Sequence, residues 1–363
     1  MRVLVVNAGS SSTKLSLLDD DTLVSTTSLS SAQAQVGRDE LSAALQPLVG
    51  IEAVGHRIVH GGSEFVTPVR IDQQVVRRLE ALVDLAPLHQ PKSLRALALV
   101  SGLLPDLPAV ASFDTAFHAT IPAAASTYAL PSEWRARWNL RRFGFHGLSH
   151  AYASRRAAEL AQRPLAELRI VTCHLGAGAS LAAVKGGVSI DTTMGFTPLE
   201  GLVMATRSGS LDPGLITWLE EHVGMPPSEL AATLEYRSGL LGLTGSSEMQ
   251  TILGDEQAGN PGAVLGVGVY LHRLRAGIAA MAAAMDGLDT LVFTGGVGEN
   301  AAAIRARAAA GLGFLGITVD PGRNAEPTLD AEIGAADGQV AVFVLRARED
   351  IQIARDVRET LAR

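Results

Sequence analysis

The sequence predicts an α/β protein made of two similar domains with a cleft between them. Its 363 residues, 47% of them hydrophobic, exceed the size at which a single hydrophobic core keeps growing. Two distant segments have the same order of predicted elements, an apolar strand, a glycine-containing loop and a second strand. A third apolar strand is followed by a glycine-rich segment and a helical pattern. These observations indicate two similar half-chains.

The first half-chain begins with a predicted strand at Val3 to Val6, where a continuous apolar run fits a strand buried on both faces. A second strand is predicted at Lys14 to Leu18 and a third near Thr22 to Leu29. The other half-chain has the same order, with a buried strand at Ile170 to Cys173 and a second at Leu181 to Val184. Each half-chain therefore carries a glycine-containing loop between its first two strands.

The two half-chains align with one constant offset, which we interpret as a weak internal repeat. The residues that fall opposite each other are Asn7 and His174, Gly9 and Gly176, Thr13 and Ser180, and Leu17 and Val184. A third glycine-rich segment, Gly295 to Asn300, follows a predicted strand at Thr290 to Phe293. It is expected to be a loop that opens a helix over Ala301 to Ala310 and can bind an anion there. Further helices are predicted at Ser149 to Gln162, Pro261 to Met285 and Asp350 to Ala362.

Composition and charge favour small molecules as partners. The formal net charge of -7, without any run of Lys or Arg, gives no electrostatic footprint for nucleic acid or an anionic membrane. The single cysteine, Cys173, excludes an intrachain disulfide and fits a reducing compartment. The apolar run after Met1 is too short for a signal peptide, and Ala276 to Met285 is too short to span a bilayer. We expect a cytoplasmic protein that binds neither nucleic acid nor membrane.

The loop from Asn7 to Lys14 is the first candidate for phosphate binding. It combines small residues, four hydroxyls and one cation, and its N–H groups, hydroxyls and ammonium can all donate to phosphate oxygens. An ordinary Ser-rich hairpin would explain the same segment. The Walker pattern and the His-Arg-Asp pattern of protein kinases are both absent from the sequence. Two such loops and a third glycine-rich segment favour a cleft that clamps one nucleotide from both sides.

This arrangement resembles the actin, sugar-kinase and Hsp70 superfamily. The resemblance implies two similar domains of the actin-like ATPase (ribonuclease H-like) fold, with mixed five-stranded sheets flanked by helices and a nucleotide cleft between them. By itself it does not distinguish an enzyme from an ATP-driven clamp.

Two arginines and a histidine are candidates for binding an anionic acceptor. A carboxylate that attacks a γ-phosphate is an anion approaching an anion, so the site needs cations. Arg57 and Arg207 lie among small residues, and each guanidinium could hold a carboxylate or a phosphoryl oxygen. A surface ion pair is the alternative for a lone arginine. His146, between Phe145 and Gly147, could donate to the transferring group, or could be a buried histidine bonded to the backbone.

Nine stretches of the chain together resemble the acetokinase family. They are VLVVNAGSSSTKLSLL, GHRIVHGG, LAPLHQP, FDTAFHATIP, FGFHGLSH, HLGAGASLAAVKGG, MGFTPLEGLVMATRSGSLDPG, SGLLGLTGSSEM and FTGGVGENAAAIRAR. The resemblance implies Mg²⁺-dependent, reversible transfer of a phosphoryl group from ATP to acetate, with Mn²⁺ able to replace Mg²⁺. It also implies domains at residues 1–118 with 351–363 and at residues 119–350, and a homodimer formed through the second domain.

The resemblance implies roles for individual residues, grouped here by what they would bind. The catalytic positions are Asp114, His146 and Arg207. The acid-binding positions are Arg57, Val59, Leu88, His89, Phe145 and Pro198. The nucleotide positions are Ser10, Ser12, Lys14, His174, Leu175, Gly176, Ala177, Gly178, Glu248, Met249, Gln250, Gly296, Val297, Gly298, Glu299 and Asn300. The metal positions are Asn7 and Glu349, and Glu349 could equally be the first acid of the last helix.

The chain departs from the family pattern on the nucleotide side. Ala177 replaces the usual Asn, and Glu248-Met249-Gln250 replaces the usual Asp-Met-Arg, which removes a cation. The chain is also shorter than is usual between Leu29 and Gly55. Two alternatives stay open: a propionate or other short-chain acid kinase of the same family, and a catalytically silent ATP-binding clamp of the same fold.

Overall fold

The computed structural model describes residues 1–9, 12–30, 37–85, 90–326 and 330–363. The chain divides into two compact units. The first consists of Met1–Ala119, Phe145–Tyr152 and Arg348–Arg363, and the second consists of Thr120–Gly144 and Ala153–Ala347. The predicted boundaries of two independent domains stay a prediction.

The first unit is built on a six-stranded mixed sheet with the order β3-β2-β1-β4-β6-β5. Strands β1 and β2 are antiparallel, whereas β4 runs parallel to β1 and to β6. The sheet comprises β1 (Arg2–Ala8), β2 (Ser12–Asp19), β3 (Thr22–Ser30), β4 (Ala53–Ile58), β5 (Val69–Arg70) and β6 (Ala109–Phe113).

The second unit repeats this sheet, with the order β11-β12-β10-β7-β8-β9. Its first two strands are antiparallel, and its central strands are parallel, as in the first unit. The internal repeat predicted from two segments therefore extends over the whole sheet. The strands are β7 (Arg169–Leu175), β8 (Ala179–Lys185), β9 (Val188–Thr192), β10 (Thr290–Thr294), β11 (Ala331–Glu332) and β12 (Ala341–Val344).

The α-helices of the described ranges flank these sheets or join their strands. They are α1 (Arg38–Leu45), α2 (Gln73–Glu80), α3 (Gln90–Leu103), α4 (Ala123–Ser126), α5 (Ser132–Trp138), α6 (Gly147–Leu160), α7 (Pro213–Trp218), α8 (Pro227–Tyr236), α9 (Gly239–Thr244), α10 (Met249–Gln257), α11 (Pro261–Ala284), α12 (Gly295–Asn300), α13 (Ala302–Ala310), α14 (Pro321–Ala325) and α15 (Glu349–Leu361). Within the part of the chain that the structure describes, no helix is both long and apolar enough to cross a membrane.

The first strand shows why its apolar run is continuous. Val3 and Val5 pack with Ile353 and Val357 of α15, whereas Leu4 and Val6 pack on the opposite side in the cluster of α1 and α3. Successive side chains of a strand point to opposite faces, so both faces of β1 need apolar residues. The same alternation carries Asn7 to the face of α15, two residues beyond Val5.

Three sequence-based expectations were wrong in detail. Each sheet has six strands instead of the five that the resemblance implied, and in each sheet one edge strand, β5 or β11, is only two residues long. The loop expected from Asn7 to Lys14 is much shorter, since β1 extends to Ala8 and β2 begins at Ser12. The segment Gly295 to Asn300, expected as a loop, is the short helix α12.

The offset between the two half-chains also needs a correction. Four sequence positions separate the paired residues Ala8 and Thr13, whereas three separate the paired residues Leu175 and Ala179. The second turn is one residue shorter, and Ser180 therefore corresponds to Lys14 instead of Thr13. The alignment from sequence missed this because small residues fill both turns.

The glycines of α12 explain the error at that segment. Gly295 has a φ of +79°, and a Cβ there would lie 2.8 Å from the Leu175 carbonyl oxygen. A Cβ on Gly298 would lie 3.3 Å from the Phe293 carbonyl carbon. These glycines therefore permit close backbone approach, which looks the same in sequence as the flexibility of a loop.

Gly55 supports the packing of α15 on the sheet, and Gly55→Ala should destabilise the protein. An added Cβ would lie 2.5 Å from Ile353 Cγ2 and 2.9 Å from Val357 Cγ2. We expect the free energy of unfolding to fall by about 1–3 kcal/mol, measured by urea denaturation. Gly102→Ala is the matched control, because Gly102 lies in α3 with nothing within 4 Å of its added Cβ. Equal stability of the two variants would contradict this prediction.

Candidate active site

Arg57 is held by a buried carboxylate at the ends of two parallel strands. Arg57 is on β4, and Asp114 directly follows β6. Arg57 Nε donates to Asp114 Oδ1 over 2.9 Å, and Arg57 Nη2 donates to Asp114 Oδ2 over 2.6 Å. The Asp114 side chain is 1% exposed and that of Arg57 is 14% exposed. Two parallel hydrogen bonds in a buried setting fix the plane of the guanidinium.

Asn7 and Glu349 complete this cluster from the two ends of the chain. Arg57 Nη1 donates to Asn7 Oδ1 over 3.0 Å, and Asn7 Nδ2 donates to Glu349 Oε2 over 2.8 Å. Glu349 is the first residue of α15, so it also has the helix-terminal position considered from sequence. Arg57 Nη1 lies 3.9 Å from Glu349 Oε2. Four side chains thus form one connected network.

The charges of this cluster keep Arg57 protonated. Burial by itself would lower the pKa of Arg57, but the carboxylates of Asp114 and Glu349 outweigh burial and raise this pKa. Burial also raises the pKa of the Asp114 carboxyl, and Arg57 opposes that rise. Since two hydrogen bonds favour the charged form of Asp114, we expect a charged pair at pH 7.

The segment that carries His146 is tied to Asp114 by the backbone. His146 has a φ of 56°, a left-handed conformation that is uncommon for a residue other than glycine. The next N–H, that of Gly147, donates to the Asp114 carbonyl oxygen over 2.8 Å, and a Cβ on Gly147 would overlap that oxygen. On the other side, His118 Nε2 lies 2.9 Å from the Phe145 carbonyl oxygen and donates to it. The strained conformation of His146 is therefore held from both sides.

Three buried histidines of the first unit predict a loss of stability in acid. Burial lowers the pKa of His56, His60 and His118 to about 4 in each case, from 6.5. Between pH 6.5 and 4 the unfolded chain therefore binds more protons than the folded chain, so the free energy of unfolding falls as the pH falls through this window. Urea midpoints at pH 7 and pH 5 measure this effect.

His56 allows a test of that assignment, because its Nε2 atom has no hydrogen-bond partner among the described residues. His56→Leu should make the free energy of unfolding depend less steeply on pH between 6.5 and 4. An unchanged pH dependence in His56→Leu would assign the effect to other groups.

The positions expected to form an apolar acid pocket are distributed over several segments. Val59 is 7% exposed and Phe145 is 1% exposed, and the Phe145 ring meets the His60 ring edge-on with centroids 5.4 Å apart. Leu88 and His89 lie outside the described residues, as does Ser10 of the first turn. In that turn, the Gly9 N–H donates to the Ser12 carbonyl oxygen over 2.8 Å, and Lys14 is exposed on β2.

In the second unit, the turn after His174 meets the loop that leads to Arg207. The Gly176 N–H donates to the Gly178 carbonyl oxygen over 3.0 Å, and the Ala177 carbonyl accepts from the Ala205 N–H over 3.1 Å. Leu175 is fully buried at the end of β7, where it contacts the start of α12. The structure therefore brings together two of the expected nucleotide segments, residues 174–178 and α12, and the neighbourhood of Arg207.

Within α12, the polar side chains bind the protein backbone. Glu299 Oε1 accepts from the Gly295 N–H over 3.2 Å and from the Ala347 N–H over 2.9 Å. Asn300 Nδ2 donates to the Gly296 carbonyl oxygen over 2.8 Å. Val297, in the same helix, is half-buried. Glu299 and Asn300 therefore help to hold this short helix in place.

Arg207 is paired with a carboxylate that sequence reasoning missed. Its Nε donates to Glu235 Oε1 over 2.6 Å, and the side chains are 14% and 11% exposed. Arg207 Nη1 also lies 3.4 Å from the Pro198 carbonyl oxygen, so Pro198 contacts Arg207 through its backbone. No sequence motif marks Glu235, which is one of two glutamates in α8.

The expected nucleotide residues 248–250 lie at the start of α10. Glu248 and Gln250 are exposed, whereas Met249 is 6% exposed and forms part of the core. The Glu248 N–H donates to Ser246 Oγ over 3.2 Å. The exposed pair therefore offers polar groups to solvent, and Met249 does not.

The second unit contains two further arginine networks that the sequence did not reveal. Arg142 Nη1 donates to three successive carbonyls, those of residues 192–194, and Arg142 Nη2 donates to Glu200 over 2.7 Å. Arg305 is 1% exposed and donates to the carbonyls of Gly298 and Glu299, each over 2.8 Å. Arg305 therefore closes the end of α12 by satisfying carbonyls that a short helix leaves open.

The two residues expected to bind a metal, Asn7 and Glu349, could do so only through oxygen atoms. Among the described residues, no group of three or more His, Cys, Asp or Glu is placed to hold a metal. Asn7 and Glu349 lie in hydrogen-bond contact through the Asn7 amide nitrogen, and their oxygens are one carboxylate and one amide oxygen that also accepts from Arg57. Mg²⁺ is usually held by one or two carboxylates together with waters and substrate phosphates, so this pair fits Mg²⁺ better than a metal that needs a full protein cage.

Solved structures define the class of protein. The crystal structure of Porphyromonas gingivalis acetate kinase matches with a TM-score of 0.90 and 36% identity, and the match covers 99% of each chain. A propionate kinase from Francisella tularensis matches with a TM-score of 0.90 and 33% identity over 98% of each chain. The duplicated sheets therefore define a two-domain protein of the actin-like ATPase fold, as the sequence predicted.

Sequence comparison narrows this class to one family. The model described as "Acetokinase family" matches residues 32–355. An acetate kinase from Synechococcus sp. (strain JA-2-3B'a(2-13)) is 50% identical over 305 residues, which cover 84% of this chain and 75% of the relative. An acetate kinase from Caldanaerobacter subterraneus subsp. tengcongensis is 41% identical over 394 aligned positions and 98% of both chains. The chain belongs to the acetokinase family.

Proposed function

We propose that the protein catalyses reversible, Mg²⁺-dependent transfer of the γ-phosphoryl group of ATP to acetate, which gives acetyl phosphate and ADP. The observation that carries the proposal is the buried Arg57, whose guanidinium is fixed by Asp114 in a chain of the acetokinase family. A fixed cation of this kind suits a small carboxylate. An ATP-driven clamp that performs no transfer would have no use for it.

The acid is held by charge and by shape. Arg57 would bind the carboxylate, while Asp114 keeps the guanidinium in one plane. The apolar side chains of Val59, Phe145 and Pro198 would surround the methyl group, with Leu88 and His89 as the remaining expected positions. A small apolar pocket discriminates against an added methylene only modestly, so propionate should react with lower efficiency.

The transfer itself is a direct in-line displacement. A carboxylate oxygen forms the new bond to the γ-phosphorus, and the bond from phosphorus to the bridging oxygen of the β-phosphate breaks, so ADP leaves with the electron pair. Arg207 and His146 would donate to the oxygens of the transferring group, where charge develops. Asp114 does not act as a general base, because the attacking carboxylate has no proton to lose.

Backbone and metal ligands would hold the nucleotide. The turn from Gly176 to Gly178 and the N–H groups of α12 would bind phosphate oxygens, together with His174 and the first turn of the chain. Mg²⁺ held by Asn7 and Glu349 would neutralise phosphate charge when bound. Glu248 and Gln250 would contribute polar contacts.

Membership of the family extends the proposal to three further properties of the protein. The two domains would span residues 1–118 with 351–363 and residues 119–350, the protein would form a homodimer through the second domain, and it would act in the cytoplasm on small molecules. Size-exclusion chromatography with light scattering tests the homodimer directly.

A kinase for propionate or another short-chain acid is the second candidate, favoured by the match to the Francisella tularensis propionate kinase. The two candidates differ in chain-length preference. A comparison of kcat/KM for acetate, propionate and butyrate separates them, since an acetate kinase should have its highest kcat/KM with acetate.

A donor panel tests the proposed function. ATP, GTP, ADP and pyrophosphate are each supplied with acetate and Mg²⁺, and acyl phosphate is trapped by hydroxylamine. We expect hydroxamate with ATP and little with ADP. Bound ATP without any hydroxamate from any donor would support the silent clamp and reject the kinase.

A further inference from the structure

The carboxylate of Glu235 is placed where it controls the side chain of Arg207. Glu235 lies in the last turn of α8 and is 9% exposed as a residue. Its Oε1 atom accepts from Arg207 Nε over 2.6 Å, and both side chains are largely buried. A buried charge is costly unless it is paired, so this contact is maintained in the folded protein.

The backbone around Glu235 also fixes the loop of Arg207. Thr206 Oγ1 donates to the Glu235 carbonyl oxygen over 2.8 Å, and the Ser208 N–H donates to the Leu234 carbonyl oxygen over 3.1 Å. The Ser238 N–H donates to the Thr206 carbonyl oxygen over 2.9 Å. Hydrogen bonds on both sides of Arg207 therefore set its backbone against the end of α8.

Gly239 brings the same turn into close contact with this loop. Gly239 has a φ of +60°, and a Cβ there would overlap the Met204 carbonyl oxygen and lie 2.6 Å from the Arg207 carbonyl oxygen. The Leu240 N–H donates to the Met204 carbonyl over 2.9 Å. Only a glycine permits this approach in a left-handed conformation.

The position of the contact on the guanidinium is informative. A guanidinium has five N–H donors in a fixed plane, and Glu235 engages the one on Nε, while the terminal nitrogens carry the other four. A bond at Nε restricts rotation of the plane about the side chain. Together with the contacts of Arg207 Nη1 to the Pro198 carbonyl oxygen at 3.4 Å and to Met204 Sδ at 3.8 Å, it determines where the terminal nitrogens point.

We propose that Glu235 is a positioning residue for Arg207, which aims the terminal nitrogens of Arg207 at the transferring phosphoryl group. This inference rests on the proposed function. Glu235 touches neither substrate in this account. Its effect is confined to the step in which Arg207 acts. Removal of the Glu235 carboxylate should therefore lower kcat and leave substrate binding nearly unchanged.

Three substitutions at Glu235 separate geometry from charge. Glu235→Gln keeps an oxygen that accepts from Nε, and we expect its kcat to stay within about fivefold of the wild type. Glu235→Ala removes the acceptor and should lower kcat at least about tenfold, with KM for acetate and for ATP within about threefold. Glu235→Asp shortens the side chain by one methylene and should give an intermediate kcat.

A matched control and a double variant make the test specific. Glu256 forms a comparable pair in the same unit, with Arg307 Nη1 2.7 Å from Glu256 Oε2, so Glu256→Ala should lower stability without lowering kcat. Arg207→Lys replaces the guanidinium by an ammonium, which has no Nε–H for Glu235 to fix. In the Arg207→Lys background, Glu235→Ala should change kcat less than about twofold.

The outcomes distinguish the inference from the function on which it rests. A wild-type protein that forms no acyl phosphate rejects the proposed function. An active wild type with Glu235→Ala as active as Glu256→Ala overturns the inference alone. An equal loss of kcat in Glu235→Gln and Glu235→Ala, or an equal effect of Glu235→Ala in the Arg207 and Arg207→Lys backgrounds, also overturns it, because both results assign a role other than aiming the guanidinium.

Discussion

Arg207→Ala is expected to lower kcat about 10³-fold or more, because arginines that stabilise a transferring phosphoryl group have effects of this size. The guanidinium would act where charge develops, so its removal affects the transition state more than the bound substrates. The measurement is hydroxamate formation at saturating acetate and ATP, with ATP binding measured by calorimetry. We expect nearly unchanged ATP affinity in the variant.

Arg307→Ala provides the comparison for that result. Arg307 also pairs with a glutamate in the second unit, and its side chain is 41% exposed. A similar kcat in the two variants, or a fully active Arg207→Ala protein, would refute the proposed role of Arg207. Loss of ATP binding in Arg207→Ala would indicate a role in nucleotide binding instead.

Asp114→Ala is expected to reduce both stability and acid binding. Removal of one partner of a buried ion pair leaves the other charge unpaired, which costs about 3–5 kcal/mol. The free energy of unfolding should fall by that amount in urea denaturation at pH 7. Since Arg57 would then lose the two hydrogen bonds that fix its plane, KM for acetate should rise at least about tenfold.

Glu159→Gln is the control for the Asp114 result, because Glu159 pairs with Arg156 on the surface. Its side chain is 63% exposed and its partner's is 35% exposed. A surface pair of this kind contributes about 0.5 kcal/mol, so the variant should resemble the wild type. Equal stability of Asp114→Ala and Glu159→Gln would contradict the prediction that the buried Arg57–Asp114 ion pair stabilises the first unit.

The family and the α/β fold could be predicted from the sequence because several signals agreed. The apolar run at Val3 to Val6 indicated a strand buried on both faces, and the structure confirms that both faces of β1 are covered. The repeat was visible because it involves strands with strong patterns. The number of strands was taken from the resemblance, and edge strands of two residues, such as Val69–Arg70, have no sequence pattern that could have corrected it.

The same limit separates the site residues that could be predicted from the sequence from those that could not. Arg57 and Arg207 were identified because family motifs surround both, since a lone arginine would by itself favour a surface ion pair. Their carboxylate partners differ: Asp114 lies in such a motif, whereas Glu235 lies in an ordinary helix 28 positions beyond Arg207. Partners brought together only by tertiary packing leave no local signal. The glycine-rich segment of α12 was predicted as a loop for a related reason, since close packing and chain flexibility both select glycine.

The shared strand order of the two sheets has a consequence for how an internal duplication can diverge. Strand register places Asn7 beside Arg57 in the first copy, and the equivalent neighbours in the second copy are His174 and Thr294. One copy thus has a cation where the other has a hydroxyl. Neither copy could replace the other by simple exchange, because equivalent backbone positions now carry different chemistry. The proposed division between acid binding in one half and nucleotide binding in the other therefore requires two copies of different sequence.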